Sequence, residues 1–161
     1  MQHQALEIPL QDLPPIDEHS IEIDAPAEVA WAALFPTLAE SLDGDRGRRW
    51  AEALDCRDKE ASGDLHHPGG TLPGFVVARS VAPVMLALMG EHRYARYALV
   101  FRIDLLPGQR SRVRAETRAL FLGTKGKAYR AAVIGTRGHV FVTRSLLKTL
   151  KKRAERRSNG G

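Results

Sequence analysis

Five side chains in the second half of this chain have the chemistry of a polar site: His92, Arg93, Tyr97, Thr117 and His139. His139 sits at the edge of an apolar stripe with helical spacing. An imidazole titrates near neutral pH and serves as acid or base, although a histidine so placed is more often a core or rim residue. Arg93 falls on the inward register of an apolar strand. It needs a carboxylate or a ligand's acid there, unless it lies at the strand's end and snorkels to water. Other combinations carry less. Glu91 and His92 are neighbours on a predicted strand, so alternation sends them to opposite faces. Glu116 shares a face with Arg112, Arg114 and Arg118, the pattern of an outer cross-strand ion lattice. His66-His67 lack a carboxylate or cysteine at ligand spacing, so no metal is expected. Cys56 has no neighbour that would activate a thiolate. No nucleophile elbow, phosphate loop, dinucleotide fingerprint or zinc-protease helix occurs, and no cofactor is expected.

The elements that must carry these residues follow from periodicity. Residues from Asp17 alternate, with His19, Ile21 and Ile23 on one side, as in a half-buried strand. Asp24-Ala25-Pro26 then opens a helix containing Val29, Ala30, Trp31, Ala33 and Leu34, which Pro36 closes or kinks. Two short helices are predicted near Thr37–Leu42 and Gly47–Leu54, and a short strand over residues 55–62. A glycine-rich loop through Gly69-Gly70 leads to strands at Phe75–Val81, Val84–Arg93, Tyr94–Leu105 and Ser111–Leu122, although the Met/Leu content of Val84–Arg93 also fits a helix. Tyr97, Leu99, Phe101 and Ile103 share one face of the third of these. Val113, Ala115, Thr117, Ala119 and Phe121 share one face of the fourth. The pair forms an antiparallel sheet with one apolar and one charged side. From Thr124 to Arg157 the apolar positions Tyr129, Val133, Thr136, Val140, Thr143, Leu146, Leu147 and Leu150 step by three and four. That spacing predicts one long helix laid along the sheet.

The 161 residues fit one domain. The division is a lead-in over 1–15, a folded domain over 16–153, and a disordered basic and glycine tail over 154–161. One cysteine excludes an internal disulfide. With no signal sequence and no apolar run of about 18 residues, a cytoplasmic chain without membrane insertion is expected. The net charge of +5 is local: residues 144–157 hold seven cations against Glu155 alone, so the remainder is nearly neutral. That distribution argues against nucleic acid as the main partner, while leaving the tail open to an acidic surface.

The order of strand, two helices, antiparallel strands and long helix resembles the helix-grip fold of the START-like superfamily, with its polyketide cyclase-like and Bet v 1-like members. His19-Ser20-Ile21-Glu22-Ile23-Asp24-Ala25-Pro26-Ala27-Glu28-Val29-Ala30-Trp31 is similar to the superfamily's opening strand and helix start. The segments Gly90–Phe101, Arg114–Ala119 and Tyr129–His139 resemble a subgroup of bacterial proteins of unknown function. The resemblance implies an α+β fold: a curved antiparallel sheet wrapped around the last helix, commonly with an apolar cavity between them. It also allows fewer than the usual seven strands. The cavity walls would be Trp31, Tyr97, Leu99, Phe101, Thr117, Tyr129, Val133, Thr136 and Val140, with Arg93 and His139 as polar groups. The expected function is binding of a small hydrophobic or amphipathic molecule by a monomer or homodimer. The alternatives are a cyclase-, aromatase- or lyase-type enzyme in the same cavity, or a well-packed core with no cavity at all.

Overall fold

The computed structural model describes residues 9–161, for 134–136 the backbone alone. Six antiparallel strands form one curved sheet in the order β1-β6-β5-β4-β3-β2. In chain order the elements are β1 (Pro15–Ile23), α1 (Ala27–Leu42), α2 (Asp45–Ala53), β2 (Thr71–Leu72), β3 (Phe75–Val81), β4 (Met85–His92), β5 (Ala95–Leu106), β6 (Arg110–Phe121), α3 (Gly123–Thr136) and α4 (Gly138–Asn159). The strand faces follow the alternation in the sequence. Across the sheet, Ile21 opposes Val113, which opposes Ile103. His19, Ala115, Phe101 and Leu86 form the next row, and Asp17, Thr117, Leu99 and Leu88 the one after.

The concave face carries the main core. Ile23, Val113, Ala115, Phe101, Ile103, Leu86 and Leu88 pack there against Ala30, Trp31, Leu34 and Leu38 of α1 and Leu146, Leu147, Leu150 and Ala154 of α4. Each large side chain so buried contributes about 1.5–3 kcal/mol. α4 also closes the free edge of β1. Lys151 Nζ donates to the Glu22 carbonyl, and Glu155 accepts from the Asp24 amide.

Several expectations need correction. The closing helix is two helices, because Arg137 adopts a left-handed conformation with φ 53°. Gly135 and Gly138 flank it, and their weak helix propensity lowers the cost of the break. α1 runs unbroken through Pro36 to Leu42, so Thr37–Leu42 is not a separate helix. Burial of Leu34, Phe35, Thr37 and Leu38 carries it through the proline, and Thr37 Oγ1 donates to the Ala33 carbonyl. Residues 55–62 form no strand beyond a single bridge from Ser62 to Thr71, since their charges offer nothing to bury.

The convex face is not purely charged. Ala87, Met89, Ala98 and Val100 form a second apolar cluster, covered by Leu10 and Leu13 of the N-terminal segment. The segment is pinned there by Arg118 Nη1 donating to the Leu13 carbonyl and by the Ala119 amide donating to that of Pro14. Beside this cluster lies the expected ion lattice. Glu116, almost fully buried, sits between Arg102 and Arg118, and Arg114 holds Asp104 with two hydrogen bonds. At the other end of the chain, α4 continues through residues 154–159, with Ala154 buried.

Candidate functional site

Burial along the concave face differs between its two ends. Under α1 and α4, Val113, Ala115 and Phe101 are inaccessible to solvent. One row along, Thr117 and Leu99 lie in the two central strands and face the helices, yet both are only half-buried. Tyr97, Phe121, Tyr129, Val133, His139 and Val140, from the strands and the α3–α4 junction, share this partial exposure. Most of the predicted wall residues are therefore half-buried. Three are not. Trp31 and Phe101 belong to the packed core, and Arg93 is exposed in the β4–β5 turn. Its guanidinium lies over the Tyr94 ring, 6.0 Å from the centroid. A turn position frees its charge from the inward register, so it reaches water. The Thr136 side chain lies outside the described residues.

A polar group forms one wall. His139, in the first turn of α4, donates from Nε2 to Asp17 Oδ2 at 2.8 Å, and His19 Nε2 lies 3.3 Å from the same oxygen. The Asp17–His139 contact fixes the tautomer, because a carboxylate only accepts. In the neutral imidazole the proton then sits on Nε2 and Nδ1 carries the lone pair. That Nδ1 and Asp17 Oδ1 are both buried without a hydrogen-bond partner among the described residues. Buried polar atoms without partners are costly, and such atoms mark places where a ligand or water belongs. Sequence reasoning misses Asp17 as a site residue. The signal is present, since Asp17 shares the strand parity of His19, Ile21 and Ile23. Only the fold brings it to His139, 122 positions away.

The far wall is aromatic. His92 is buried at the end of β4, within 5.0–6.2 Å of the rings of Trp50, Tyr94, Tyr97 and Tyr129. Its Nδ1 accepts from the Tyr94 amide, and burial pushes its pKa down to about 4. This imidazole is a neutral packing element. The Tyr97 hydroxyl donates to the Gly74 carbonyl at 2.6 Å, and Cys56 Sγ lies 3.7 Å away. Burial, reinforced by Cys56, holds the Tyr97 phenol well above its ordinary pKa. Gly90 permits this arrangement, because a Cβ there would strike the Tyr97 ring and the Gly74 carbonyl. Burial likewise raises the pKa of the Cys56 thiol. Among the described residues no group of three or more His, Cys, Asp or Glu side chains could hold a metal ion. Two clefts, of about 720 and 420 Å³, open beside this wall, the first lined by Cys56 and the second by His92 and Arg93. They share Asp55 and Arg57 and flank the segment after α2.

Solved structures share this architecture. Zhui aromatase/cyclase from Streptomyces sp. R1128 superposes with a TM-score of 0.54 at 15% identity, covering 88% of this chain and 94% of that one. TTHA0849 from Thermus thermophilus gives 0.53 at 14% identity, with 88% and 97% covered. A protein from Thermobifida fusca gives 0.50 at 18% identity, with 86% and 92% covered.

The chain has the START-like helix-grip fold.

At these identities the likeness extends to the fold and not to the site. No family model matches the chain, and no curated protein matches it in sequence. Relative to the seven strands usual in the helix-grip fold, this chain has six among the described residues, with the short β2 at the edge. No helix among the described residues is long and apolar enough to cross a membrane.

Proposed function

We propose that this helix-grip protein binds a small amphipathic molecule between the concave face and the α3–α4 junction. One observation carries the reading. Thr117 and Leu99 occupy the middle of the sheet and face inward, yet remain accessible while Ala115 and Phe101 beside them are sealed. Central concave positions lose their water in a fully packed core. Leu99, Val133, Val140 and Tyr97 offer apolar surface, and the unpartnered Asp17 Oδ1 offers an acceptor to a ligand hydroxyl or amine. A displacement assay with an apolar fluorescent dye tests this, with native mass spectrometry of the purified protein alongside. Leu99→Trp fills the opening and should remove most of the dye binding. Dye binding unchanged in Leu99→Trp, or no binding by the wild type, would overturn the proposal.

A second reading, an enzyme of the cyclase, aromatase or lyase kind, is favoured by the Asp17–His139 pair. A carboxylate that holds Nε2–H leaves Nδ1 as an oriented base, the arrangement general-base catalysis requires. The Zhui aromatase/cyclase, a structure of the same fold, lends it support. Here Nδ1 would take a proton from the bound molecule, and the imidazolium would return it after rearrangement or elimination. Exchange of solvent deuterium into the bound molecule measures this step. It should be lost in His139→Ala with the melting temperature nearly unchanged. Exchange that persists in the variant would remove the enzymatic reading and leave binding intact.

A further inference from the structure

Apart from the exposed Arg157 in the last turn, the lysines and arginines of α4 sort into two groups. Lys151 is held by Glu155, and Arg153 by Glu40 and Thr37, both at the flank of the packed face. Arg144, Lys148, Lys152 and Arg156 are exposed and have no ion-pair partner among the described residues. They step by four, so they form a single ridge on the side opposite buried Leu146, Leu147, Leu150 and Ala154. Successive charges are about 6 Å apart, and the ridge is about 18 Å long. The ridge accounts for nearly all of the +5 net charge. At its upper end two apolar side chains stand in water: Phe141 is 76% exposed and Val142 52%.

We propose that this ridge docks the protein peripherally on an anionic lipid surface. Arg144, Lys148, Lys152 and Arg156 lie against the headgroups, and Phe141 with Val142 enters the acyl boundary. Charge complementarity sets the sign of the partner. The apolar pair decides its kind: a phosphate backbone rewards the cations and gives Phe141 and Val142 nothing, whereas a headgroup–acyl boundary rewards both. The contact is superficial, since the opposite face of α4 is committed to the core. Each cation near an anionic leaflet strengthens binding by about fivefold, so the four act together and strongly.

Cosedimentation of the full chain with vesicles tests the proposal. The vesicles are phosphatidylcholine alone, or phosphatidylcholine with about one third phosphatidylserine. The protein should pellet with the second and not the first, and should be released near 1 M salt, where charges are screened beyond about 3 Å. Reversing Arg144, Lys148, Lys152 and Arg156 together to glutamate should abolish pelleting, with circular dichroism confirming the fold. Phe141→Ser should weaken pelleting several-fold while preserving its salt sensitivity. Equal pelleting with both vesicle types, or none with either, overturns the proposal. So does a Phe141→Ser variant that pellets like the wild type. A short DNA duplex bound more tightly than the anionic vesicles would assign the ridge to nucleic acid instead and also overturn it.

Discussion

The two ends of the concave face are built from the same strands with the same alternation, and they differ in what covers them. At the Ile21–Val113–Ile103 end, α1 and α4 press on the sheet together, and Phe101 and Val113 lose all contact with water. At the Asp17–Thr117–Leu99 row the cover passes from α4 to α3 across the left-handed Arg137, and the same kind of inward residue stays half-exposed. The lesson is that an apolar strand face specifies burial only where a second element arrives to complete it. The break in the closing helix falls where the fully buried half gives way to the half-exposed one.

The two halves should differ most in their response to lost volume. Phe101→Ala should cost about 3–5 kcal/mol, because the sealed end cannot refill with water or collapse. Leu99→Ala, in the open row, should cost about 1 kcal/mol. Urea unfolding of the two variants measures the difference, and equal losses would mean that the open row is packed like the sealed one.

Next in size is the pH response of the aromatic wall. The folded pKa of His92 is lowered to about 4 from an ordinary value of 6.5. Between those values the unfolded chain binds the extra proton, so stability is full above about pH 6.5 and falls as pH drops toward 4. The loss at the bottom of that window reaches about 3 kcal/mol. In unfolding free energies at pH 7 and pH 5, His92→Gln should show a smaller difference than the wild type.

A smaller effect is expected at the helix junction. Arg137→Gly removes the Cβ that opposes a positive φ and should raise stability by about 0.5 kcal/mol. A drop in melting temperature would show that the side chain itself holds α3 against α4. The smallest change belongs to the polar wall. Asp17→Asn keeps the size of the side chain and should alter stability by less than about 1 kcal/mol. It should nevertheless reduce binding of an amine-bearing amphiphile, measured by calorimetry.

Much of the fold was legible because strand parity is a local property. The inward set Tyr97, Leu99, Phe101 and Ile103 and the outer lattice around Glu116 follow from period two alone. The second core was less visible. Ala87, Met89, Ala98 and Val100 lie on the face that the arginines mark as outer, and only the return of Leu10 and Leu13 across that face makes it buried. The helix break was only hinted at, by Gly135 and Gly138 inside the run. Tyr129, Val133 and Val140 keep helical spacing through it, and a single residue's φ leaves no trace in periodicity. The site was half legible. His139 stood out by type and position, but its partner Asp17 is distant in the chain.

Taken alone, the amino-acid order determined which residues share a strand face, where the long strands run, and that the positive charge gathers on the last helix. Those are consequences of backbone geometry and nearest-neighbour spacing. Tertiary structure alone decided which faces are covered, that Pro36 is carried through a helix while Arg137 ends one, and that Asp17 meets His139. Such outcomes depend on free-energy balances between elements far apart in the chain, where burial outweighs local preference at one place and fails to do so at another.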